Sequence, residues 1–269
     1  MNNLDSIKII NGRYEYTFEE IGDLAGFDYP DTRITIEDMA GEQSAEYVAS
    51  KFGRRRLSWR AILKEDKLDT LTDLQRAIKV GNLKTIKFNP YPRMELQAEV
   101  EIERYTNPYK NGRRIMLIEA VAPDWRFYSQ IKEIIHIPKT IITGGLDIPA
   151  DVPFDIYTTN NFGNTLQNKG DQETDPIFTL HGPGTRFTIR NEATDEEFII
   201  NYTIGENDVI VLDKKKGSVV LNGVHDIFSA KTGEMWDIAP GNNVITFNPI
   251  GSGDTTLLDI EWRAAYGGT

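Results

Sequence analysis

The sequence predicts a mainly β protein with two domains, and two patterns in the chain support this fold class. Residues 94–103 alternate strictly between apolar and polar side chains, as a strand does when one face is buried and the other is wet. After residue 176, short apolar runs recur between turn residues such as Asn222-Gly223 and Pro240-Gly241. This spacing is typical of an antiparallel β-sandwich or jelly roll.

The charge distribution also divides the chain. Residues 1–130 hold 20 Lys and Arg against 21 Asp and Glu, whereas residues 131–269 hold 10 against 20. Because the two halves carry different surfaces, we place a boundary near residue 135, between a domain at 1–135 and a domain at 136–269. The acidic second half argues against nucleic-acid contact there, since phosphate binding needs basic surface.

The first domain is expected to contain β-strands and one main α-helix. Leu71, Leu74 and Ile78 fall on one helical face, and Gly81 follows as a stop signal, so we predict a helix over Asp69–Val80. Strands are predicted at Ile7–Ile10, Tyr14–Thr17, Arg33–Glu37, Leu57–Leu63, Thr85–Phe88, Met94–Ile102 and Arg114–Ala122.

The second domain is expected to be an antiparallel sandwich that follows a linker. Residues 137–176 are rich in Thr, Asn, Gly, Pro and Asp, and hold one predicted strand at Phe154–Thr158. Phe247 and Trp262 are expected to face the core of the sandwich, and a fragment that begins near Lys139 should fold alone. Further strands are predicted at Ile177–Leu180, Arg186–Arg190, Glu197–Tyr202, Val209–Leu212, Ser218–Leu221, Val244–Phe247 and Thr256–Trp262.

The sequence shows no pattern typical of an active site, a cofactor site or a membrane span. It has no cysteine for disulfides or thiolate metal sites, no apolar run of 18 residues and no secretory signal. His136, His181 and His225 lack a second histidine at metal-ligand spacing and a nucleophile-elbow serine. We therefore predict no enzyme activity, no cofactor and no metal.

Two acidic groups are alternatives to this interpretation. Asp171, Glu173 and Asp175 alternate and could bind calcium, but they lack the glycine and distal glutamate of an EF-hand loop, which favours a solvated loop. Residues 195–197 could act as the carboxylate pair of a glycoside hydrolase. Neighbouring strand residues point to opposite faces, however, so a charged β-turn is the better interpretation.

A carbohydrate-binding module is another alternative, because Trp236 and Tyr202 could stack on sugar rings. Sugar stacking requires exposed aromatic side chains on one face, so this hypothesis fails if Trp236 and Trp262 are buried. Trp125, Phe127 and Tyr128 form a further aromatic cluster, which we interpret as part of a core.

The basic run Arg54–Arg56, followed by Arg60, could contact nucleic acid or form salt bridges at a subunit interface. The first half of the chain is nearly neutral, and the run leads directly into the predicted strand Leu57–Leu63. Arginine pairs well with carboxylates at interfaces, so we favour the interface.

Several motifs occur in an order that resembles a known family. In the first half they are the Arg54–Leu63 strand, the helix end Leu74-Gln75-Arg76-Ala77-Ile78 and the segment Arg113–Tyr128. In the second half they are Asn168-x-Gly170-Asp171-x-Glu173-Thr174-x-Pro176-x-x-x-Leu180-x-Gly182, Val219-Val220-Leu221-Asn222-Gly223, Ala239-Pro240-Gly241-Asn242-Asn243-x-Ile245-x-Phe247 and Ile260-Glu261-Trp262-Arg263-x-x-Tyr266. Together they resemble the siphophage distal tail protein family, the baseplate hubs of phages or prophages of Gram-positive hosts.

The resemblance implies a structural virion protein that is made in the host cytoplasm and has no enzyme activity. It implies a homohexameric ring of N-terminal domains that joins the tail tube protein to a tail-tip, tail-associated lysin-like protein. Galectin-like β-sandwiches would lie outside the ring and carry receptor-binding or other baseplate proteins. At 269 residues the chain leaves no room for the carbohydrate-binding modules that some members carry.

The segment Asp38–Phe52 has no apolar period and is expected to be a long loop or arm. We hypothesise that this arm reaches a neighbouring subunit and helps to close the ring, because rings use head-to-tail contacts. The expected interface residues are Tyr47, Val48 and Phe52 as apolar anchors, and Arg54, Arg55 and Arg56 as partners of carboxylates on the next subunit.

Overall fold

A computed structural model divides the chain into two compact units. The first unit consists of Met1–Ile131 together with Ala265–Thr269, and the second of Lys132–Ala264. The structure describes residues 4–30, 32–38, 45–63, 68–91, 94–106, 109–110, 113–139 and 164–269.

The first unit is built largely from β-strands, with one α-helix among its described residues. Its first strands are β1 (Ile7–Asn11), β2 (Tyr14–Phe18), β3 (Glu20–Ala25), β4 (Thr32–Asp38), β5 (Ala45–Phe52) and β6 (Arg55–Leu63). The helix α1 (Leu68–Ala77) follows, and then come β7 (Lys84–Tyr91), β8 (Met94–Thr106), β9 (Tyr109–Lys110), β10 (Arg113–Ala122) and β11 (Phe127–Ser129).

Most of these strands form one antiparallel sheet in the order β2-β1-β7-β8-β10-β6-β3. The strict alternation in β8 is confirmed, because its apolar side chains Leu96, Ala98, Val100 and Ile102 are all buried. The predicted strands Ile7–Ile10 and Tyr14–Thr17 are also confirmed. They correspond to β1 and β2, which pair antiparallel through a tight turn in which Gly12 has a positive φ of 60°.

The predicted helix is present, although it ends earlier than expected. Leu74 and Ile78 are buried against the sheet, as the spacing predicted, whereas the side chain of Leu71 lies outside the described residues. The backbone N–H of Ile78 makes the last helical bond, at 2.9 Å from the oxygen of Leu74. Gly81, with a φ of 104°, then turns the chain toward β7.

The expectation of an unpatterned loop over Asp38–Phe52 is wrong for Asp38 and residues 45–52, which lie in strands, whereas residues 39–44 lie outside the described residues. Strands β4 and β5 pair antiparallel from Thr32↔Phe52 to Asp38↔Ala45 and form a β-hairpin, which we call the hairpin. Within the described part of the chain its strands pair only with each other. Because neither strand belongs to the large sheet, packing of that sheet on the core does not require them to alternate apolar and polar side chains.

The second unit is a β-sandwich of two antiparallel sheets. Its strands are β12 (Glu133–Pro138), β13 (Thr165–Asn168), β14 (Ile177–His181), β15 (Arg186–Asn191), β16 (Glu196–Ile200), β17 (Val209–Asp213), β18 (Ser218–Leu221), β19 (His225–Asp226), β20 (Lys231–Thr232), β21 (Gly241–Ile250) and β22 (Leu257–Trp262), with a 3-10 turn at Phe228–Ala230. One sheet has the order β12-β22-β14-β17-β18-β19 and the other β13-β21-β15-β16-β20.

Buried side chains from both sheets form one core between them. Phe247 on β21 and Trp262 on β22 belong to this core, so their predicted positions are confirmed. Phe187 and Phe247 stack with their ring centroids 6.4 Å apart. The predicted strand Phe154–Thr158 lies outside the described residues.

The chain enters and leaves the sandwich on neighbouring strands. Strand β12 lies where the linker was expected to begin, and it pairs with β22 from Glu133↔Trp262 to Pro138↔Leu257. Ile137 on this strand is fully buried, so the sandwich begins before residue 136. After β22 the chain returns to the first unit, where its last strand, β23 (Ala265–Tyr266), pairs with β11.

Among the described residues, no helix is long and apolar enough to span a membrane.

A fragment of residues 132–264 is expected to fold by itself, because the two sheets of the sandwich supply their own core. Circular dichroism should show a cooperative thermal transition. A fragment that begins at Lys139 is the matched comparison, and it should melt at a lower temperature because it lacks β12 and the buried Ile137. An unfolded 132–264 fragment would show that the sandwich is not an independent domain.

Candidate subunit interface

The three arginines of the basic run point to different environments. Arg54 and Arg56 are exposed, whereas Arg55, at the start of β6, is only 2% exposed. Successive side chains of a strand point to opposite faces, which separates Arg55 from Arg56. Arg55 is therefore a part of the interior of the first unit, and its side chain does not face a neighbouring subunit.

Arg55 binds backbone carbonyl groups from three separate parts of the chain. Its guanidinium donates hydrogen bonds to the oxygens of Gly26 at 3.0 Å, Asp28 at 2.8 Å and Trp125 at 2.7 Å. It also donates to the oxygen of Gly267. No other side chain offers five donors in a rigid planar fork, so this set of contacts requires arginine.

The electrostatics of Arg55 agree with this buried position. Burial lowers the pKa of Arg55 to about 10, although the nearby Asp28 and Asp124 carboxylates favour the charged form. The group therefore stays charged at neutral pH. Its guanidinium carbon also lies 4.0 Å from the centroid of the Phe127 ring, which adds a cation–π contact.

The 26–30 turn, Gly26–Pro30, is held tightly against β6. Gly26 has a φ of 81°, and a Cβ at this position would lie 1.8 Å from the backbone oxygen of Arg56. Only glycine allows both the positive φ and this close approach. The turn and residues 53–56 line a cleft with a volume of about 540 Å³.

A second polar cluster fixes the loop that carries Trp125. Asp124 accepts hydrogen bonds from the Arg126 Nε at 3.1 Å and from the Tyr128 hydroxyl at 2.6 Å. Burial by itself raises the pKa of Asp124, but the hydrogen bonds from Arg126 and Tyr128 outweigh it and the pKa lies below its ordinary value. The charged carboxylate therefore stabilises the loop that presents the Trp125 oxygen to Arg55.

Aromatic and basic side chains gather at the two ends of the hairpin, within the first unit. The Tyr29 side chain is 58% exposed and that of Phe52 is 41% exposed. Phe52 stacks on Trp125 with their ring centroids 4.2 Å apart. We call the set of Tyr29, Phe52, Trp125, Arg54 and Arg56 the hairpin base.

The structure brings some of the predicted interface residues together and leaves others aside. Phe52, Arg54 and Arg56 lie at the hairpin base, whereas the side chains of Tyr47 and Val48 on β5 lie outside the described residues. The sequence analysis missed Tyr29 as a part of this surface. Gly26 is a sequence signal for a turn shortly before Tyr29, but only the structure shows that this turn lies beside the arginine run.

In the described part of the second unit, the two tryptophans on which the sugar-stacking hypothesis depends are buried. Trp236 is 1% exposed and Trp262 is 5% exposed, and both belong to the sandwich core. The Trp236 ring packs edge-on against Phe178 with their centroids 4.8 Å apart. The carbohydrate hypothesis based on these residues is therefore wrong.

Several charged side chains of the second unit form hydrogen bonds and ion pairs with one another. Asp259 lies between two histidines, 2.6 Å from the Nδ1 of His136 and 3.1 Å from the Nε2 of His181. Asp195, with a φ of 59°, and Glu197 flank Arg190 at the turn between β15 and β16. Among the described residues, no three His, Cys, Asp or Glu side chains are arranged to hold a metal ion.

Arg55→Met is expected to destabilise the first unit by about 3 kcal/mol or more, because the carbonyls that Arg55 binds would lose a charged donor. Urea unfolding of the full chain measures this change in the free energy of unfolding. The matched control is Arg54→Met, which removes an exposed arginine and should change stability by less than about 0.5 kcal/mol. Equal effects of the two substitutions would contradict the anchoring role of Arg55.

Asp124→Asn is expected to lower the stability of the first unit at neutral pH and to have less effect in acid. Because the folded pKa is depressed, the stabilisation by Asp124 is full above the unfolded pKa of about 3.9 and is lost as the pH falls through the folded value. Urea unfolding curves of the two proteins from pH 7 to pH 3 should therefore converge. A difference that stays constant over this range would exclude the charge of Asp124 as the cause.

Comparison with known proteins gives one sequence match and several structural matches. Residues 169–266 match the C-terminal domain of the siphovirus-type tail component family, SPP1_Dit. No protein with curated annotation matches the chain by sequence.

The structural matches cover nearly the whole chain at low sequence identity. The SPP1 Dit protein, described as a paradigm of the hub adsorption apparatus in phages that infect Gram-positive bacteria, is 12% identical with a TM-score of 0.66, over 96% of this chain and 98% of that one. A chain of the phage P2 baseplate, in its activated conformation with Ca, is 10% identical with a TM-score of 0.53, over 98% and 99% of the two chains. The P2 baseplate with Sr gives 10% identity and a TM-score of 0.50, over 95% and 97%.

The match of the second unit was expected from its motifs, because Gly170, Asp171 and the closing Trp262 all lie within the matched residues. Residues 169–266 are therefore similar by sequence to the C-terminal domain of siphovirus-type tail components, and nearly the whole chain shares its fold with the SPP1 Dit protein and a P2 baseplate chain.

Proposed function

We propose that this protein is the hub subunit of a phage baseplate, and that its first unit assembles into a ring, most simply a hexamer. The ring joins the tail tube protein to the tail-tip protein, and the sandwiches carry receptor-binding or other baseplate proteins. The SPP1 Dit protein, which is described as a paradigm of the hub adsorption apparatus, has the same fold, and this supports the role. The role is structural and involves no catalysis.

The observation that carries the proposal is the hairpin. Its strands pair only with each other within the described residues, and β4, with seven residues, is about 23 Å long. A two-stranded hairpin is only marginally stable by itself in water. A hairpin of this length is therefore expected to be stabilised by contact with another protein surface. A neighbouring copy of the first unit is the partner that a ring supplies.

The hairpin base gives this contact its chemistry. Phe52 and Tyr29 offer exposed aromatic surface, and aromatic anchors contribute most to the free energy of binding at interfaces. Arg54 and Arg56 offer guanidinium groups to carboxylates of the neighbour, although exposed ion pairs contribute only about 0–1 kcal/mol each. The aromatic side chains should therefore matter more for assembly than the arginines.

The hairpin base is held in place before assembly, and this favours binding. Arg55 fixes the 26–30 turn and the Trp125 loop on either side of the hairpin base. A surface that is ordered before contact loses less conformational entropy on assembly. Pre-ordering by Arg55 thus supports a stable ring.

Replacement of residues 33–51 by Asn-Gly is expected to abolish or weaken ring formation and to leave the sandwich folded. Thr32 and Phe52 are paired neighbours in the hairpin, so a two-residue turn can join them without strain. Light scattering gives the mass of the oligomer, and negative-stain images show the ring. Rings of unchanged size and stability would refute the role of the hairpin.

A pair of point variants tests the hairpin base with the fold intact. Phe52→Ser should weaken assembly, whereas Phe228→Ser removes a similarly exposed phenylalanine from the sandwich and should not. A wild-type protein that stays monomeric with its tail partners present would overturn the hub role itself.

A further inference from the structure

We infer that residues 265–269, which we call the strap, complete the surface at the hairpin base, so that a second copy of this chain binds only when the strap is docked. The inference rests on the proposed hub function and adds a condition under which the ring can assemble. The strap follows the sandwich in the chain but belongs to the first unit.

The strap is attached to the first unit at three points. At its start, β23 pairs with β11 through Phe127↔Tyr266 and Tyr128↔Ala265. In its middle, the oxygen of Gly267 accepts a hydrogen bond from Arg55. At Thr269, the backbone N–H and the side-chain hydroxyl both donate to the Phe27 oxygen, at 3.0 Å and 3.1 Å.

Two consecutive glycines let the strap lie directly on the 26–30 turn. A Cβ at Gly268 would lie 2.8 Å from the backbone nitrogen of Tyr29 and 3.0 Å from the carbonyl carbon of Asp28. A Cβ at Gly267 would lie 2.5 Å from the Tyr29 ring. The strap therefore forms one side of the packing that positions Tyr29, an exposed aromatic of the hairpin base.

The contacts of the strap reach the proposed interface through Arg55 as well. The guanidinium that binds the Gly267 oxygen also binds the oxygens of Asp28 and Trp125. When the strap undocks, Arg55 loses a hydrogen-bond acceptor, and Tyr29 loses the packing contact with the strap. Both changes disturb the hairpin base, although no strap residue needs to touch the neighbouring copy.

This arrangement makes assembly depend on residues that follow the sandwich in the chain. A chain in which the strap is missing or undocked keeps the hairpin and the arginines but presents a displaced Tyr29. Assembly is thereby restricted to chains whose strap has been made and docked.

The test uses the full chain with Gly268→Ala and Gly268→Val, which insert increasing bulk against the backbone of the 26–30 turn. The matched control is Gly205→Ala in the sandwich, where a Cβ meets only ordinary contact at 3.5 Å and no positive φ is involved. Hydrogen–deuterium exchange of residues 26–30 and 265–269 reports docking of the strap. Light scattering as a function of concentration reports assembly.

We expect faster exchange in both segments and an association constant lower on the order of tenfold for Gly268→Val, a smaller effect for Gly268→Ala and no change for Gly205→Ala. Rings of wild-type stability in a Gly268→Val protein whose strap exchanges rapidly would overturn the inference and leave the hub function standing. Unchanged exchange at residues 26–30 with a released strap would also overturn it. A monomeric wild-type protein would overturn the hub function, and the role of the strap in assembly with it.

Discussion

The buried charge of Arg55 is the interaction on which the surface of the first unit depends. A charged group inside a protein costs several kcal/mol unless dipoles replace its water, and here the backbone carbonyls of Gly26, Asp28, Trp125 and Gly267 do so. These carbonyls belong to three separate segments of the chain. The guanidinium of Arg55 joins them to one another, in addition to the apolar contacts of buried side chains such as Phe27.

The sequence predicts those parts of the structure whose signal is local. The alternation of β8, the buried face of α1 and the inward positions of Phe247 and Trp262 follow from periods that one segment displays by itself. Arg55 was expected at a subunit interface, because arginine pairs well with carboxylates at such surfaces. The alternation of β6 places its side chain inside, and its partner Gly267 lies 212 residues away, where no local pattern indicates it. Strand β4 was predicted as Arg33–Glu37, whereas β5 was missed because its sequence carries no apolar alternation.

The sandwich shows why the same residue types can mislead a search for function. Tryptophans in a β-rich domain suggest a platform for sugars, yet Trp236 and Trp262 fill the space between the two sheets. Large aromatic side chains bury more apolar area than other residues, so a sandwich core uses them for stability first. The fold is similar to that of the SPP1 Dit protein and a P2 baseplate chain at only 10–12% identity, and a fold alone does not specify a function. For this chain the informative surface is the hairpin base rather than an aromatic cleft in the sandwich.

The pairing of β12 with β22 has a consequence for the order in which the chain folds. Bringing Ala265 beside Tyr128 in an unfolded chain closes a loop that contains the whole second unit, at a cost in chain entropy of about 4 kcal/mol. Once the sandwich has folded, Glu133 and Trp262 are neighbours, and only residues 129–132 and 263–264 remain between the two partners. The sandwich thus acts as an intramolecular cross-link for the other unit. Its folding raises the effective concentration of the last strand at its docking site, and this favours a sequence in which the sandwich folds before the first unit is complete.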